Sequence, residues 1–179
     1  DSPGPLPERA SLLSLSGSAY VKVAEGCDNR CSFCAIPLIR GGLRSRPVEE
    51  IAAEVGRLVD RGIVEVNLVA QDLASFGRDT GEDLLTLLRT ILRDLRPFWL
   101  RLLYVYPEHF PDELLDLCSE DPRLLPYFDI PFQHASQSVL RRMGRSALAE
   151  HNLALIKQIR SRLPDVFLRS TFLVGFYGE

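Results

Sequence analysis

Apolar residues recur along this chain with two different periods, one typical of strands and one typical of amphipathic helices. Short apolar runs predict five strands, over 20–24, 63–70, 99–105, 127–130 and 166–174. Apolar positions at helical spacing predict five helices, over 47–62, 83–95, 111–119, 136–143 and 147–162. Strands separated by helices imply right-handed crossovers, so we predict an α/β fold with a parallel sheet and outer helices.

Residues 1–19 are rich in Ser, Pro and Gly, and we expect them to form a linker or lead-in to one domain over 20–179. With 179 residues and 46% hydrophobic content, the chain can bury a sizeable core. No apolar run is long enough to span a bilayer, and no segment has the layout of a signal peptide. We therefore expect a cytoplasmic protein with no membrane contact.

The net charge of -3 is that of a mildly acidic domain. Domains that bind nucleic acid on their own are usually basic, because they must neutralise phosphates. We therefore expect no direct nucleic-acid binding by this part of the protein.

Three of the four cysteines lie within eight residues, directly after the first predicted strand. Cys27, Cys31 and Cys34 have the spacing C-x3-C-x2-C, and bunched thiolates are typical ligands of iron–sulfur clusters. Three thiolates hold three corners of a four-iron cluster, which leaves the fourth iron open to a small molecule. A structural zinc site remains an alternative, but its fourth ligand would have to be the distant His109 or Cys118.

This spacing is also the cysteine motif of the radical S-adenosylmethionine (SAM) superfamily. Several further segments resemble its methylthiotransferase branch, and they lie at 19–27, 36–47, 69–77 and 129–136. The resemblance implies an incomplete, TIM-like (β/α) barrel of the radical SAM type with parallel strands. It also implies that a [4Fe-4S] cluster, held by the three cysteines, binds SAM at its open iron.

The resemblance further suggests which residues contact SAM. Phe33 precedes the last cysteine, where the superfamily usually has an aromatic residue against adenine, although this ring could simply pack under the loop. Gln133 follows the fourth predicted strand and could reach SAM or hold a turn. Gly175 follows the fifth strand, where a glycine allows close approach of a cofactor or a simple bulge. Beyond the cluster itself, we assign no catalytic residue.

The segment Gln133-His134-Ala135-Ser136 most resembles methylthiotransferases that modify a ribosomal protein. The implied reaction adds a methylthio group to the β-carbon of an aspartyl residue in a small-subunit ribosomal protein. A tRNA adenosine methylthiotransferase is the first alternative, and a non-catalytic zinc-binding module is the second. The family also implies a reductase or other electron donor. Its members carry a second [4Fe-4S] cluster on an N-terminal domain, so this chain would be an incomplete core that lacks the last strand and the accessory domains.

Overall fold

The computed structural model describes residues 16–145 and 149–179. The strands in chain order are β1 (Ser18–Lys22), β2 (Ala24–Glu25), β3 (Arg44–Ser45), β4 (Glu65–Val69), β5 (Trp99–Leu102), β6 (Leu124–Asp129) and β7 (Phe167–Arg169). The helices are α1 (Ile36–Arg40), α2 (Val48–Asp60), α3 (Leu84–Leu92), α4 (Glu113–Glu120), α5 (Gln137–Arg142) and α6 (Ala149–Arg162). Two short 3₁₀ helices, Leu73–Ser75 and Pro107–His109, follow β4 and β5.

Five strands form one parallel sheet in the order β1-β4-β5-β6-β7. The register runs without a shift from β1 through β4 to β5, whereas the pairing of β5 with β6 is irregular between Leu100 and Leu102. The predicted parallel α/β architecture is therefore confirmed. Because all five strands point the same way, the loops at their carboxyl ends meet at one edge of the sheet.

Alternate strand residues are fully buried in the core, among them Val21, Leu68 and Leu100. The core also takes up one face of α2, where Val48, Ile51, Val55 and Leu58 are buried as their spacing predicts. On the opposite face of the sheet, side chains such as Tyr20 and Trp99 remain half exposed. The sheet is thus covered by helices on one side, which is the arrangement of an incomplete (β/α) barrel.

Several element bounds differ from the prediction. β1 begins at Ser18, inside the segment expected to be a lead-in, because Ser18 pairs with Glu65 at the start of β4. β1 ends at Lys22, and the end of the first predicted strand forms β2, which pairs antiparallel with β3. The predicted strand 166–174 is regular only in β7, and beyond it a single bridge joins Phe172 to Gln133.

Helix α6 begins at Ala149, while residues 146–148 and 1–15 lie outside the described residues. The first two residues of the helix predicted over 147–162, and most of the predicted lead-in, therefore fall there. Within 16–145 and 149–179, no helix has both the length and the apolar character needed to cross a membrane.

Candidate functional site

A cavity of about 340 Å³ opens at the carboxyl ends of the parallel strands. Its wall comes from the end of β1, from the cysteine loop between β2 and α1 with the start of α1, from the end of β4, from the loops that follow β4, β5 and β6, and from Arg145 after α5. The lining residues are Lys22, Cys27, Asn29, Cys31, Phe33, Cys34, Ile36, Val69, Ala70, Gln71, Tyr104, Tyr106, Pro131, Gln133 and Arg145. The three cysteines of the C-x3-C-x2-C motif thus share one cavity with Phe33 and Gln133.

The backbone at the start of the cysteine loop is in close contact with the turn before β3. Gly26 has φ +73°, and a Cβ atom there would stand 2.0 Å from the carbonyl oxygen of Gly42. The amide of Cys27 donates a 3.1 Å hydrogen bond to the carbonyl oxygen of Gly41. Only glycine permits this approach of two backbones, so Gly26 fixes where the first cysteine enters the cavity.

All three cysteines of the motif are partly exposed free thiols. Burial raises the pKa of the Cys27 thiol above its ordinary value, although a backbone hydrogen bond opposes this effect. The fourth cysteine, Cys118, is buried on α4, and burial raises its pKa to about 12. Cys118 is therefore a core residue, and it lies away from the cavity wall.

Cys31 has two polar neighbours that are distant in sequence. The hydroxyl of Tyr106 lies 3.6 Å from its Sγ, and Nη1 of Arg145 donates to the same sulfur at 3.7 Å. The Arg145 guanidinium also lies over the Tyr106 ring, 4.0 Å from its centroid. Burial raises the pKa of the Tyr106 hydroxyl, which therefore stays protonated and able to donate a hydrogen bond to a thiolate.

Behind the cysteine loop lies a polar network centred on Asp72, which is 2% exposed. Its Oδ2 accepts hydrogen bonds from Asn29 Nδ2 at 2.8 Å and from Ser75 Oγ at 2.7 Å, and His109 Nδ1 lies 3.6 Å away. Burial raises the pKa of Asp72, but these hydrogen bonds outweigh it and hold that pKa below its usual range. A buried carboxylate thus ties the cysteine loop to the loops after β4 and β5.

The end of α5 holds the other side of the cysteine loop. Ser32 donates from its amide to the carbonyl oxygen of Met143 at 2.9 Å, and from its hydroxyl to that of Arg142 at 2.8 Å. Gly144 has φ +72°, and a Cβ there would lie 2.7 Å from the carbonyl oxygen of Arg30. The loop is therefore clamped between the Asp72 network and α5.

The three residues expected to contact SAM have different positions. Phe33 is 37% exposed, lines the cavity, and stands edge-on to the ring of Phe176 at 6.5 Å between centroids. Gln133 also lines the cavity. Gly175 is not among the described residues on the cavity wall, and its amide instead donates a 2.6 Å hydrogen bond to Glu179 Oε2. The SAM-contact roles of all three stay predictions.

Two non-glycine residues on the cavity wall have a left-handed backbone conformation, Tyr104 with φ +61° and Gln133 with φ +70°. Such residues are uncommon and concentrate at functional sites. Nearby, the side-chain oxygen of Gln71 is buried without a hydrogen-bond partner, so it can accept one from a ligand. The left-handed conformations of Tyr104 and Gln133 were not predicted from the sequence.

The donor set fits a four-iron cluster better than a single zinc ion. Tetrahedral zinc would bring four ligands together, with sulfurs roughly 4 Å apart. Among the residues that the structure describes, no three His, Cys, Asp or Glu side chains converge as a single ion requires. His109 belongs to the Asp72 network and Cys118 to the core, so neither supplies the missing zinc ligand. Three thiols on the wall of an open cavity match a cluster with one free iron.

The sequence is similar to curated methylthiotransferases. Ribosomal protein uS12 methylthiotransferase RimO of Chlamydia abortus is 46% identical over 165 residues, covering 90% of this chain and 36% of that protein. The RimO of Desulfotalea psychrophila is 48% identical over 167 residues, covering 90% of this chain and 37% of that protein. The chain therefore spans little more than a third of the length of these relatives.

Solved structures share the fold at low sequence identity. The radical SAM methyltransferase TsrM from Kitasatospora setae, solved with cobalamin and a [4Fe-4S] cluster, has a TM-score of 0.67 and 20% identity, covering 86% of this chain and 30% of its own. The cobalamin-dependent SAM radical enzyme OxsB has a TM-score of 0.68 and 15% identity, covering 88% of this chain and 24% of its own.

The family model described as the Radical SAM superfamily matches residues 21–179, which is nearly all of the described structure. That range includes the cysteine loop, the five-stranded sheet apart from the start of β1, and every residue on the cavity wall. The chain therefore belongs to the radical SAM superfamily.

Proposed function

We propose that this chain is the radical SAM core of a methylthiotransferase that modifies the β-carbon of an aspartyl residue in ribosomal protein uS12. In this proposal the core begins with β1 at Ser18 and runs to residue 179, the residues before β1 lead into it, and the enzyme acts in the cytoplasm. The observation that carries the proposal is the placement of Cys27, Cys31 and Cys34 around one open cavity at the carboxyl edge of the sheet. Identity of 44–48% to uS12 methylthiotransferases supports the choice of substrate.

In the proposed site, Cys27, Cys31 and Cys34 hold a [4Fe-4S] cluster, and SAM occupies the rest of the cavity. When bound, the cluster would supply the electron for reductive cleavage of SAM. The Asp72 network and α5 keep the cysteine loop fixed while the cluster is bound. Phe33 offers its ring as a face for adenine, and Gln133 offers an amide to the polar part of SAM.

In the same proposal, the core works with partners outside this chain. A reductase or another electron donor supplies electrons from outside. A second [4Fe-4S] cluster belongs to an N-terminal domain of the whole enzyme, and the core by itself does not complete sulfur insertion. We propose no direct nucleic-acid contact for the core, which the net charge of -3 supports.

The test is mass spectrometry of ribosomal proteins from cells that lack the full-length gene. We expect uS12 to lose the methylthio mass increment in these cells. The gene restored with wild-type sequence should return the increment, whereas the gene with Cys27, Cys31 and Cys34 all changed to alanine should not. Restoring the gene with Cys118→Ala should also return it, because Cys118 is a core residue away from the cavity.

Retention of the increment in the deletion strain would exclude uS12 as the substrate. If methylthioadenosine disappears from the tRNA of that strain instead, the tRNA enzyme is the correct assignment. If the purified protein binds one zinc ion and no iron after anaerobic incubation with iron and sulfide, the enzyme proposal fails entirely.

A further inference from the structure

A buried cation stands beside one of the proposed cluster ligands. Arg145 is 5% exposed, and its Nη1 lies 3.7 Å from Cys31 Sγ. Its Nη2 donates to the carbonyl oxygen of Pro131. Among the described residues, no carboxylate is within ion-pair distance of its guanidinium, whereas other arginines such as Arg46 and Arg101 pair with glutamates. A buried cation needs a counter-charge, and the Cys31 sulfur lies within 3.7 Å of this one.

Tyr106 completes this arrangement. Its ring lies 4.0 Å from the Arg145 guanidinium and stacks on the His109 ring at 5.8 Å between centroids, so two groups pack against it. Its hydroxyl reaches the same sulfur at 3.6 Å. Two donors from separate elements, one of them cationic, therefore converge on Cys31 Sγ.

Resting on the proposed function, we propose that Arg145 and Tyr106 are positioning residues that act through Cys31 to raise the reduction potential of the bound cluster. One-electron reduction adds one negative charge at the site. A buried guanidinium close to a ligand sulfur stabilises that charge, because Coulomb interactions are stronger away from water. Hydrogen bonds to ligand sulfurs are a recognised control of cluster potential, and both donors act in the same direction.

The test is a potentiometric titration of the anaerobically reconstituted chain with dithionite, followed by electron paramagnetic resonance, without added SAM. For Arg145→Gln we expect at least a tenfold shift toward the oxidised cluster, which is about 59 mV for a one-electron couple. Tyr106→Phe keeps the stacked ring and removes only the hydroxyl, so it should give a smaller shift in the same direction. Arg145→Lys keeps the charge, so the reduction potential of its cluster should lie between those of wild type and Arg145→Gln.

Arg141→Gln is the matched control, since it makes the same charge change on α5 at an exposed position away from the cavity wall. Its potential should equal that of wild type. The inference is overturned if Arg145→Gln binds full iron at an unchanged potential, or if Arg141→Gln shifts the potential equally. Arg145→Gln could fail to hold iron. In that case the inference is overturned if both Tyr106→Phe and Arg145→Lys have the same reduction potential as wild type. A wild-type chain that binds no cluster defeats the proposed function, and this inference with it.

Discussion

Asn29 and Asp72 are joined by a 2.8 Å hydrogen bond from the amide of one to the buried carboxylate of the other. Asn29 lies two positions after Cys27, and Asp72 follows β4. The bond therefore connects the cysteine loop to a neighbouring strand of the sheet. Asp72 also accepts a hydrogen bond from Ser75 and lies next to His109. One carboxylate therefore connects the cysteine loop with the loops after β4 and β5.

Asp72→Ala should destabilise the protein and loosen the cysteine loop. Asn29 and Ser75 each lose a buried acceptor, so we expect the free energy of unfolding to fall by about 2–3 kcal/mol. Denaturant unfolding measures this loss. Asp83→Ala is the control, because Asp83 accepts one hydrogen bond from Thr86 at an exposed helix start, and its loss should cost about 1 kcal/mol. Equal losses in the two variants would contradict a bracing role for Asp72.

The same carboxylate should make stability depend on pH. Its pKa is lower in the folded protein than the ordinary 3.8, so it adds stability at higher pH that is lost as the pH falls through the folded-state pKa. Asp72→Asn removes this component. We therefore expect the difference in unfolding free energy between wild type and Asp72→Asn to be constant near neutral pH and to shrink below about pH 3.8. Denaturant unfolding at a series of pH values checks this, and a difference that grows on acidification would refute it.

Gly26→Ala should disrupt the entry to the cysteine loop. The new Cβ would meet the backbone of Gly42, which has no flexible end that can move aside. The left-handed conformation costs about 1–2 kcal/mol, and the clash should add about 1–3 kcal/mol. Gly62→Ala is a matched control, since Gly62 also has positive φ but its Cβ would meet nothing within 4 Å. Thermal unfolding and iron content after reconstitution measure the two effects, and Gly62→Ala should retain its iron.

Each of the changes Cys27→Ser, Cys31→Ser and Cys34→Ser should lower iron binding sharply. A hydroxyl is a poor substitute for a thiolate, and two cysteines leave the cluster with too few ligands. Iron and sulfide analysis after anaerobic reconstitution, with visible absorbance, gives the measurement. Cys118→Ala should bind as much iron as wild type, because Cys118 lies in the core. Full iron content in all three serine variants would remove the basis for the proposed site.

Phe33→Ala should weaken SAM binding to the reconstituted chain. An aromatic contact contributes about 0.5–1.5 kcal/mol beyond simple burial, so affinity should fall up to about tenfold. Equilibrium binding of SAM measures the change. Phe167→Ala removes an equally large exposed ring from β7, away from the cavity wall, and should leave affinity unchanged. If Phe33→Ala binds SAM as wild type does, the ring only packs the loop.

The fold could be predicted from the sequence where periodic patterns are long. The burial of Val48, Ile51, Val55 and Leu58 on α2 follows directly from their spacing. Short elements were missed, because α1 has five residues and the β2–β3 ribbon pairs only two residues from each strand. Gly26 contacts Gly42 beside that ribbon, and no local pattern in the sequence indicates this contact. The predicted strand 166–174 is regular only in β7, where it pairs with β6, and the sequence does not indicate how far that pairing extends.

The cysteines could be located from their spacing alone, whereas their surroundings could not. Arg145 is 114 residues from Cys31, and nothing near it in the sequence indicates a sulfur contact. Tyr104 and Tyr106 were not among the residues expected at the site. Their position directly after β5, at the same sheet edge as the cysteine loop, was the available signal.

The sheet order β1-β4-β5-β6-β7 follows the order of the chain, so each strand of the sheet can join the edge left by its predecessor during synthesis. The contacts that surround Cys31 and Ser32, by contrast, come from Tyr106 and from Arg142 to Arg145. The cysteine loop is made among the first strands, whereas Tyr106 and the Arg142–Arg145 segment are made later. If the three cysteines bind a cluster as proposed, the donors that contact Cys31 are complete only once residue 145 has been made.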